Sequence, residues 1–150
     1  MKVVIQRVSE ASVTIENKLK ATIGQGYLIL LGIGVADTQN DIDWLTNKII
    51  GLRIFNDTVG AMNLSIQDIK GDILVISQFT LFASTKKGNR PSFITAARPE
   101  LAIPLYENFL QSLSQKLNQP IHSGEFGANM KVALINDGPV TIAIDTKEKR

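Results

Sequence analysis

A chain of 150 residues has the length of one ordinary domain, and its 44% hydrophobic and 20% charged residues place it among folded globular proteins rather than disordered or fibrous ones. Zero cysteines exclude disulfides, thiolate nucleophiles and cysteine-based zinc or iron–sulfur sites, and the single histidine, His122, excludes a multi-histidine metal centre. The net charge of +2 is too small to announce a nucleic-acid binder, but it is unevenly spread: no acidic residue stands between Ile73 and Pro99, a span holding Lys86, Lys87, Arg90 and Arg98. A further basic cluster, Lys147, Lys149 and Arg150, ends the chain. Such segments are either phosphate-binding surfaces or solvated loops and tails.

Residues 2–8 and 11–16 read as two β-rich segments around Ser9-Glu10, and Asn17-Lys18 as a hairpin turn into Leu19–Ile23. The N-terminal stretch MKVVIQRVSEASVTI alternates and carries regularly spaced charges, unlike a signal peptide, so a cytoplasmic location is expected. Gly26–Val35 is a nearly continuous apolar run, which predicts a strand buried on both faces. It falls short of the roughly 18 residues of a membrane span. Asp37-Thr38 and Asn40-Asp41 offer helix N-caps, after which Ile42, Leu45, Ile49 and Leu52 keep the spacing of one helical face, predicting a helix over about 40–52.

Residues 54–70 are mixed and turn-rich, and Gly71-Asp72 opens a strong strand that runs to about residue 80. Ala83–Arg98 has the glycine, proline and lysines of an ordered surface loop. Pro99 fits the first turn of a second helix in which Leu101, Leu105, Phe109, Leu113 and Leu117 share a face, while Pro104 predicts a kink or a start shifted toward residue 104. Short strands are expected at about 120–125, 130–136 and 139–145. Neighbouring strands joined by tight turns favour a single α+β domain over 1–150, with a mainly antiparallel sheet or barrel-like core and two principal helices, over a βαβ array.

Chemistry-bearing residues gather in few places. Gly24-Gln-Gly26 and Gly32-Ile-Gly34 are too incomplete for a dinucleotide fingerprint. At the end of the strongest strand, Ser77, Gln78, Phe79 and Thr80 bracket an amide and an aromatic with two hydroxyls; a strand would set Ser77 and Phe79 on one face and Gln78 and Thr80 on the other. A hydroxyl nucleophile needs a base, and nothing local ties His122 to Ser77 or Thr80. In NDGPVT, Pro139 stands at the mouth of a strand directly after Gly138. Proline has no N–H for a ladder, so the pair reads either as a plain turn or as rigid main chain displayed toward something else.

Taken together, SQFTL at 77–81, KKGNRPSF at 86–93, GEFGANM at 124–130 and NDGPVT at 136–141 closely resemble the D-aminoacyl-tRNA deacylases, and the resemblance runs the whole length of the chain. It implies hydrolysis of the ester joining a D-amino acid, or glycine mischarged on tRNA(Ala), to the terminal ribose of tRNA, with no cofactor and no metal. It also implies a homodimer in which a Gly-cisPro pair, here Gly138-Pro139 with Val140 and Thr141 beside it, enters the partner's pocket and rejects L side chains by clash. Ser77 and Gln78 would shape that pocket, Phe79 support its wall and Met130 line it, while Arg7 holds the Gly-Pro carbonyls. Thr80 would be a positioning residue, with a covalent nucleophile as the rival assignment. Lys86, Lys87 and Arg90 would meet tRNA phosphates. The competing reading is a non-catalytic nucleic-acid-binding module that uses the basic 86–98 loop.

Overall fold

The computed structural model describes residues 1–149; Arg150 of the terminal basic cluster lies outside the described residues. In chain order the elements are β1 (Lys2–Ile15), β2 (Lys18–Ile23), β3 (Gly26–Gly32), α1 (Gln39–Gly51), β4 (Arg53–Asn56), β5 (Met62–Ser65) and β6 (Asp72–Ser77). A short 3₁₀ turn (Phe79–Phe82), α2 (Pro99–Leu117), β7 (His122–Ser123) and β8 (Met130–Asp145) follow. The main sheet has the order β2-β1-β3-β6-β7, with β8 paired to β1, and β4–β5 form a separate ribbon. The α+β class with two helices around a near-closed, barrel-like sheet is what the residue pattern predicts.

The β1–β2 hairpin turns through Glu16 and Asn17, both left-handed, the geometry that matches the twist of its strands. β3 is buried on both faces because the sheet has two apolar layers. Tyr27, Ile29, Ile73 and Val75 point to one side, where Ile42, Leu45 and Ile49 of α1 and Tyr106, Phe109 and Leu113 of α2 cover them. Leu28, Leu74 and Ile76 point to the other, where Val8, Ala11, Val13 and Ile23 meet Val132 and Leu134 inside the curl of the sheet. β1 serves both layers: Val3 and Ile5 face the helices, and after two shifts of register near Arg7 and Ser9 its later residues face inward. A register shift is what exchanges the faces of a strand.

Several elements differ from the sequence reading. β1 is one strand, not two, because β8 pairs along nearly all of it and carries it through the irregularities at 6–10. β8 is likewise continuous through Gly138-Pro139. Residues 54–70 contain the β4–β5 hairpin. Four strand pairs are antiparallel, but β3–β6 and β6–β7 are parallel, so both helices lie on crossover connections of the kind the antiparallel reading set aside. α2 begins at Pro99 and runs through Pro104, which is exposed, so the carbonyl it leaves unbonded can face water. Its buried stripe is Ala102, Tyr106, Phe109 and Leu113: Phe109 and Leu113 are as predicted, while in the first turns Ala102 and Tyr106 take the places of Leu105 and of Leu101, which is exposed. Among the described residues no helix is long and apolar enough to cross a membrane.

Both ends of the chain meet at the start of α1. The Met1 ammonium donates to Asp37 Oδ1 at 2.5 Å and to Thr146 Oγ1 at 2.8 Å. Asp41 accepts from the Thr38 N–H at 2.9 Å, from Thr146 Oγ1 at 2.6 Å and from Lys147 Nζ at 2.8 Å. Burial alone would raise the Asp41 carboxyl, but hydrogen bonds from Lys147, Thr146 and Thr38 outweigh it and hold the group well below its ordinary 3.8. A carboxylate depressed by folding contributes stability above its unfolded-state pKa and loses it as pH falls toward its folded-state pKa. Asp41→Asn should therefore cost about 2 kcal/mol near neutrality. In urea titrations, the gap between wild type and variant should close progressively below the ordinary value of 3.8.

Candidate active site

The strand β6 does not continue to residue 80. At Gln78 the chain turns: the Gln78 N–H still donates to Leu31 O at 2.7 Å, and Leu81 N–H then donates back to Gln78 O at 3.2 Å, opening the 3₁₀ turn. Two glycines give the turn its seat. A Cβ on Gly32 would stand 3.0 Å from Gln78 O and 3.2 Å from Phe82 Cδ2, and one on Gly34 would stand 2.7 Å from Phe82 Cε1. Gly32-Ile-Gly34, too sparse for a nucleotide motif, is thus a flat platform for SQFTL. Within the turn, the Phe79 and Thr80 N–H groups precede the first intrahelical donor and have no acceptor in the turn itself.

Beneath the turn lies a cavity of about 280 Å³, lined by Leu31 and Ile33, by Ser77, Gln78 and Phe79, by Ala97 and Ala102 at the start of α2, and by Phe126 to Ala128, Met130 and Val132. Among the described residues no ionisable side chain lines it. Phe79 is 56% exposed and packs edge-on against Phe93 at 5.0 Å, which ties the 83–98 loop to the cavity's rim. The Gln78 side-chain amide donates to Thr80 Oγ1. Lys86, Lys87 and Arg90 are all exposed on that loop, whose ends are held by the paired Ser84 and Ser92.

The second constellation sits elsewhere on the chain. In the β1–β8 ladder Gln6 opposes Thr141 and Val8 opposes Asn136, so the four residues Asp137 to Val140 loop out opposite Arg7 alone. The Gly138–Pro139 peptide is cis, and Asp137, Gly138 and Pro139 are exposed. Arg7, only 7% exposed, donates from Nε to Asp137 O at 2.9 Å and from Nη1 to Ile54 O at 2.6 Å, with Asn56 Oδ1 at 3.4 Å. Gly138 is at φ 134°, and a Cβ there would stand 2.8 Å from Arg7 Nη2 and 2.9 Å from Val140 Cγ2. Only glycine fits. Asn136 Oδ1 accepts the Val140 N–H at 3.0 Å, and its Nδ2 donates to Thr141 Oγ1 at 3.0 Å.

The structure therefore brings Ser77, Gln78, Phe79 and Met130 to one cavity and Arg7, Gly138, Pro139, Val140 and Thr141 to one bulge, but does not join the two groups within the chain. Thr80 lies in the 3₁₀ turn, not on a strand face opposite Ser77, and does not itself line the cavity. No residue of the bulge lines the cavity; along β1, Arg7 is four residues from Val3, the partner of the lining residue Leu31, and eight from Ile15, the partner of Met130. His122 sits on β7 opposite Leu74 and lines none of this cavity. Ile54 and Asn56 escaped the sequence reading, and Phe93, Phe126 and Asn136 entered it only within motifs, with no role of their own. Asn136 alone carried a local signal, as an Asx residue opening a Gly-Pro turn.

This fold is shared with tRNA deacylases: a solved structure described as a probable eukaryotic D-amino acid tRNA deacylase superposes with a TM-score of 0.82, covering 95% of this chain and 97% of that one, at 16% identity. A second solved structure, described as a c-Myc DNA unwinding element binding protein, superposes with a TM-score of 0.92 at 42% identity, covering 97% of this chain and 98% of that one. Curated D-aminoacyl-tRNA deacylases from Flavobacterium johnsoniae and Bacteroides thetaiotaomicron are 61% and 62% identical over 149 residues, 99% of each chain. The family model described as D-Tyr-tRNA(Tyr) deacylase matches residues 4–145, and the chain belongs to that family. It is a hydrolase acting on ester bonds.

Gly124 provides a test of the cavity's boundary. An added Cβ would overlap Met130 Sδ and stand 3.3 Å from Ile76 Cδ1, so the flexible thioether must move, and the open space beside it is the cavity. Gly124→Ala is expected to raise KM for D-aminoacyl-tRNA several-fold while the thermal midpoint moves by a few degrees at most. An unchanged KM would show that Met130 does not bound the space the substrate occupies.

Proposed function

We propose that the chain hydrolyses the ester of D-aminoacyl-tRNA, and of glycine mischarged on tRNA(Ala), with the aminoacyl end in the cavity under the SQFTL turn. The observation that carries this reading is a cavity beside main-chain donors with no ionisable side chain in its lining. With no general base at hand, activation of water falls to the substrate itself, through the neighbouring ribose 2′-hydroxyl. The Phe79 and Thr80 N–H groups then receive the charge that develops on the ester oxygen. Ser77 and Gln78 shape the pocket, Phe79 walls it, and Thr80, accepting a hydrogen bond from Gln78, is a positioning residue.

Chiral selection on this reading is steric. Gly138-Pro139 presents exposed, side-chain-poor main chain on a bulge held by Arg7, the shape of a gate rather than of a substrate grip. An L side chain would run into that backbone; a hydrogen in the same direction, as in glycine or a D-residue, would fit. No residue of the bulge lines its own chain's cavity, so on this reading the pocket it completes is that of a second copy, and a two-fold homodimer carries two composite sites. Lys86, Lys87 and Arg90 contact tRNA phosphates from a loop tied to the rim by Phe93. A tRNA substrate puts the enzyme in the cytoplasm.

A second reading, nucleic-acid binding through the 86–98 loop without catalysis, is favoured by one observation, the DNA-binding description of the relative at 42% identity. Incubation with D-Tyr-tRNA, L-Tyr-tRNA and D-Tyr methyl ester separates the two: hydrolysis of the first alone is expected, and binding without any hydrolysis would establish the module instead. Thr80→Ala should retain substantial deacylation, since backbone donors survive the loss of a positioning hydroxyl. An aminoacyl adduct trapped on Thr80 would make it the nucleophile. Apparent tRNA affinity should fall steeply with salt, and a flat salt response would remove the lysine-rich loop from the contact.

A further inference from the structure

The bulge that carries Gly138-Pro139 is fastened twice. On its buried side Arg7 Nε holds Asp137 O at 2.9 Å, and the guanidinium is itself anchored on the β4–β5 ribbon through Ile54 O. That contact secures the first residue of the loop and leaves the return limb to something else. On the outer side the carboxamide of Asn136, the last ladder residue before the loop, spans the neck to the loop's last residue and the first ladder residue after it, accepting the Val140 N–H and donating to the Thr141 hydroxyl. The amide thus occupies the place of a missing ladder rung, at the one stretch where β8 has four residues and β1 only Arg7.

Resting on the gate reading above, we propose that Asn136 is a positioning residue for chiral selection: its carboxamide closes the neck of the bulge and so fixes where the Gly138-Pro139 main chain points. Arg7 alone allows the loop to pivot about Asp137, whereas the second fastening removes that freedom. Val140 is packed against the main core, so tying its N–H to Asn136 aligns the exposed tip with the rigid body of the sheet. Asn136 touches no substrate. Its effect passes through the main chain it restrains.

The proposal is tested by the ratio of kcat/KM for D-Tyr-tRNA to that for L-Tyr-tRNA, with Gly138→Ala as the reference for a displaced tip. Asn136→Ala should lower the ratio about tenfold, the scale of one or two lost hydrogen bonds. Asn136→Asp keeps an oxygen for the Val140 N–H and can accept from the Thr141 hydroxyl, so most of the selectivity should return. Should Asn136→Ala fail to fold, Thr141→Val removes one of the two fastenings with a strand-compatible side chain and should lower the ratio by a smaller factor. If Gly138→Ala lowers the ratio while folded Asn136→Ala and Thr141→Val leave it at the wild-type value, the assignment of Asn136 is overturned and the gate stands. An equal loss on both substrates, with the ratio intact, likewise overturns it. If all three variants keep the ratio, the gate reading itself fails.

Discussion

Arg7 is a buried cation whose guanidinium is satisfied by neutral oxygens, Asp137 O, Ile54 O and Asn56 Oδ1, with no carboxylate within salt-bridge distance among the described residues. A charge so enclosed tolerates little movement of its acceptors, because each one lost leaves a desolvated donor. The result is a three-way junction of β1, the β4–β5 ribbon and the β8 bulge, closed around one side chain. Around it β1 shifts register and changes the layer it serves, and β8 sheds four residues without ending. Burial of the Tyr27 hydroxyl, stacked on Phe55 beside this junction, raises its pKa despite the opposing pull of the Arg7 charge.

Two half-sites follow from that geometry. The cavity is formed where β3 and β6 end, the 3₁₀ turn begins and α2 starts, and both apolar layers contribute to its lining. The bulge interrupts the β1–β8 ladder at Arg7, and its residues Asp137 to Pro139 are exposed. Neither is a complete device. The cavity offers backbone donors and apolar walls but nothing that distinguishes one hand of an amino acid from the other, and the bulge offers a rigid obstacle with no binding volume of its own. On the proposed reading, selectivity by exclusion needs both, and a two-fold pair of chains would let each half meet its complement.

Much of the fold was legible because it follows from patterns that act locally. The apolar run at 27–31 had to be a strand buried twice, the N-cap candidates Asp37-Thr38 and Asn40-Asp41 before the Ile42, Leu45, Ile49 and Leu52 spacing had to be a helix, and Gly138-Pro139 stood out as proline in a strand context. What stayed hidden depends on distant partners. Gly32 and Gly34 matter because Phe82 packs on them, and that packing turns Ser77 to Thr80 out of the strand alternation the sequence suggested. Gly-Pro read as a boundary, yet the ladder with β1 resumes at Thr141, which only the partner strand decides. The β4–β5 ribbon was lost in a turn-rich stretch, and with it the acceptors that bury Arg7. In the first turns of α2 the buried stripe passes through Ala102 and Tyr106 rather than Leu101 and Leu105, because Tyr106 reaches across to Val75 O, a contact no periodicity encodes.

The central claim is that cavity and gate belong to different copies of the chain, and mixing two altered chains tests it most directly. Ala128→Trp fills the cavity but leaves the bulge intact, whereas Gly138→Ala spoils the bulge but leaves the cavity open. When Gly138→Ala chains are refolded with a large excess of Ala128→Trp chains, nearly every open cavity faces an intact bulge from its partner. The D-to-L ratio of kcat/KM should then return from the low value of Gly138→Ala alone to that of the wild type. A ratio that stays at the Gly138→Ala value, in mixtures shown to contain the mixed dimer, would mean that each chain gates its own cavity and would contradict the composite site.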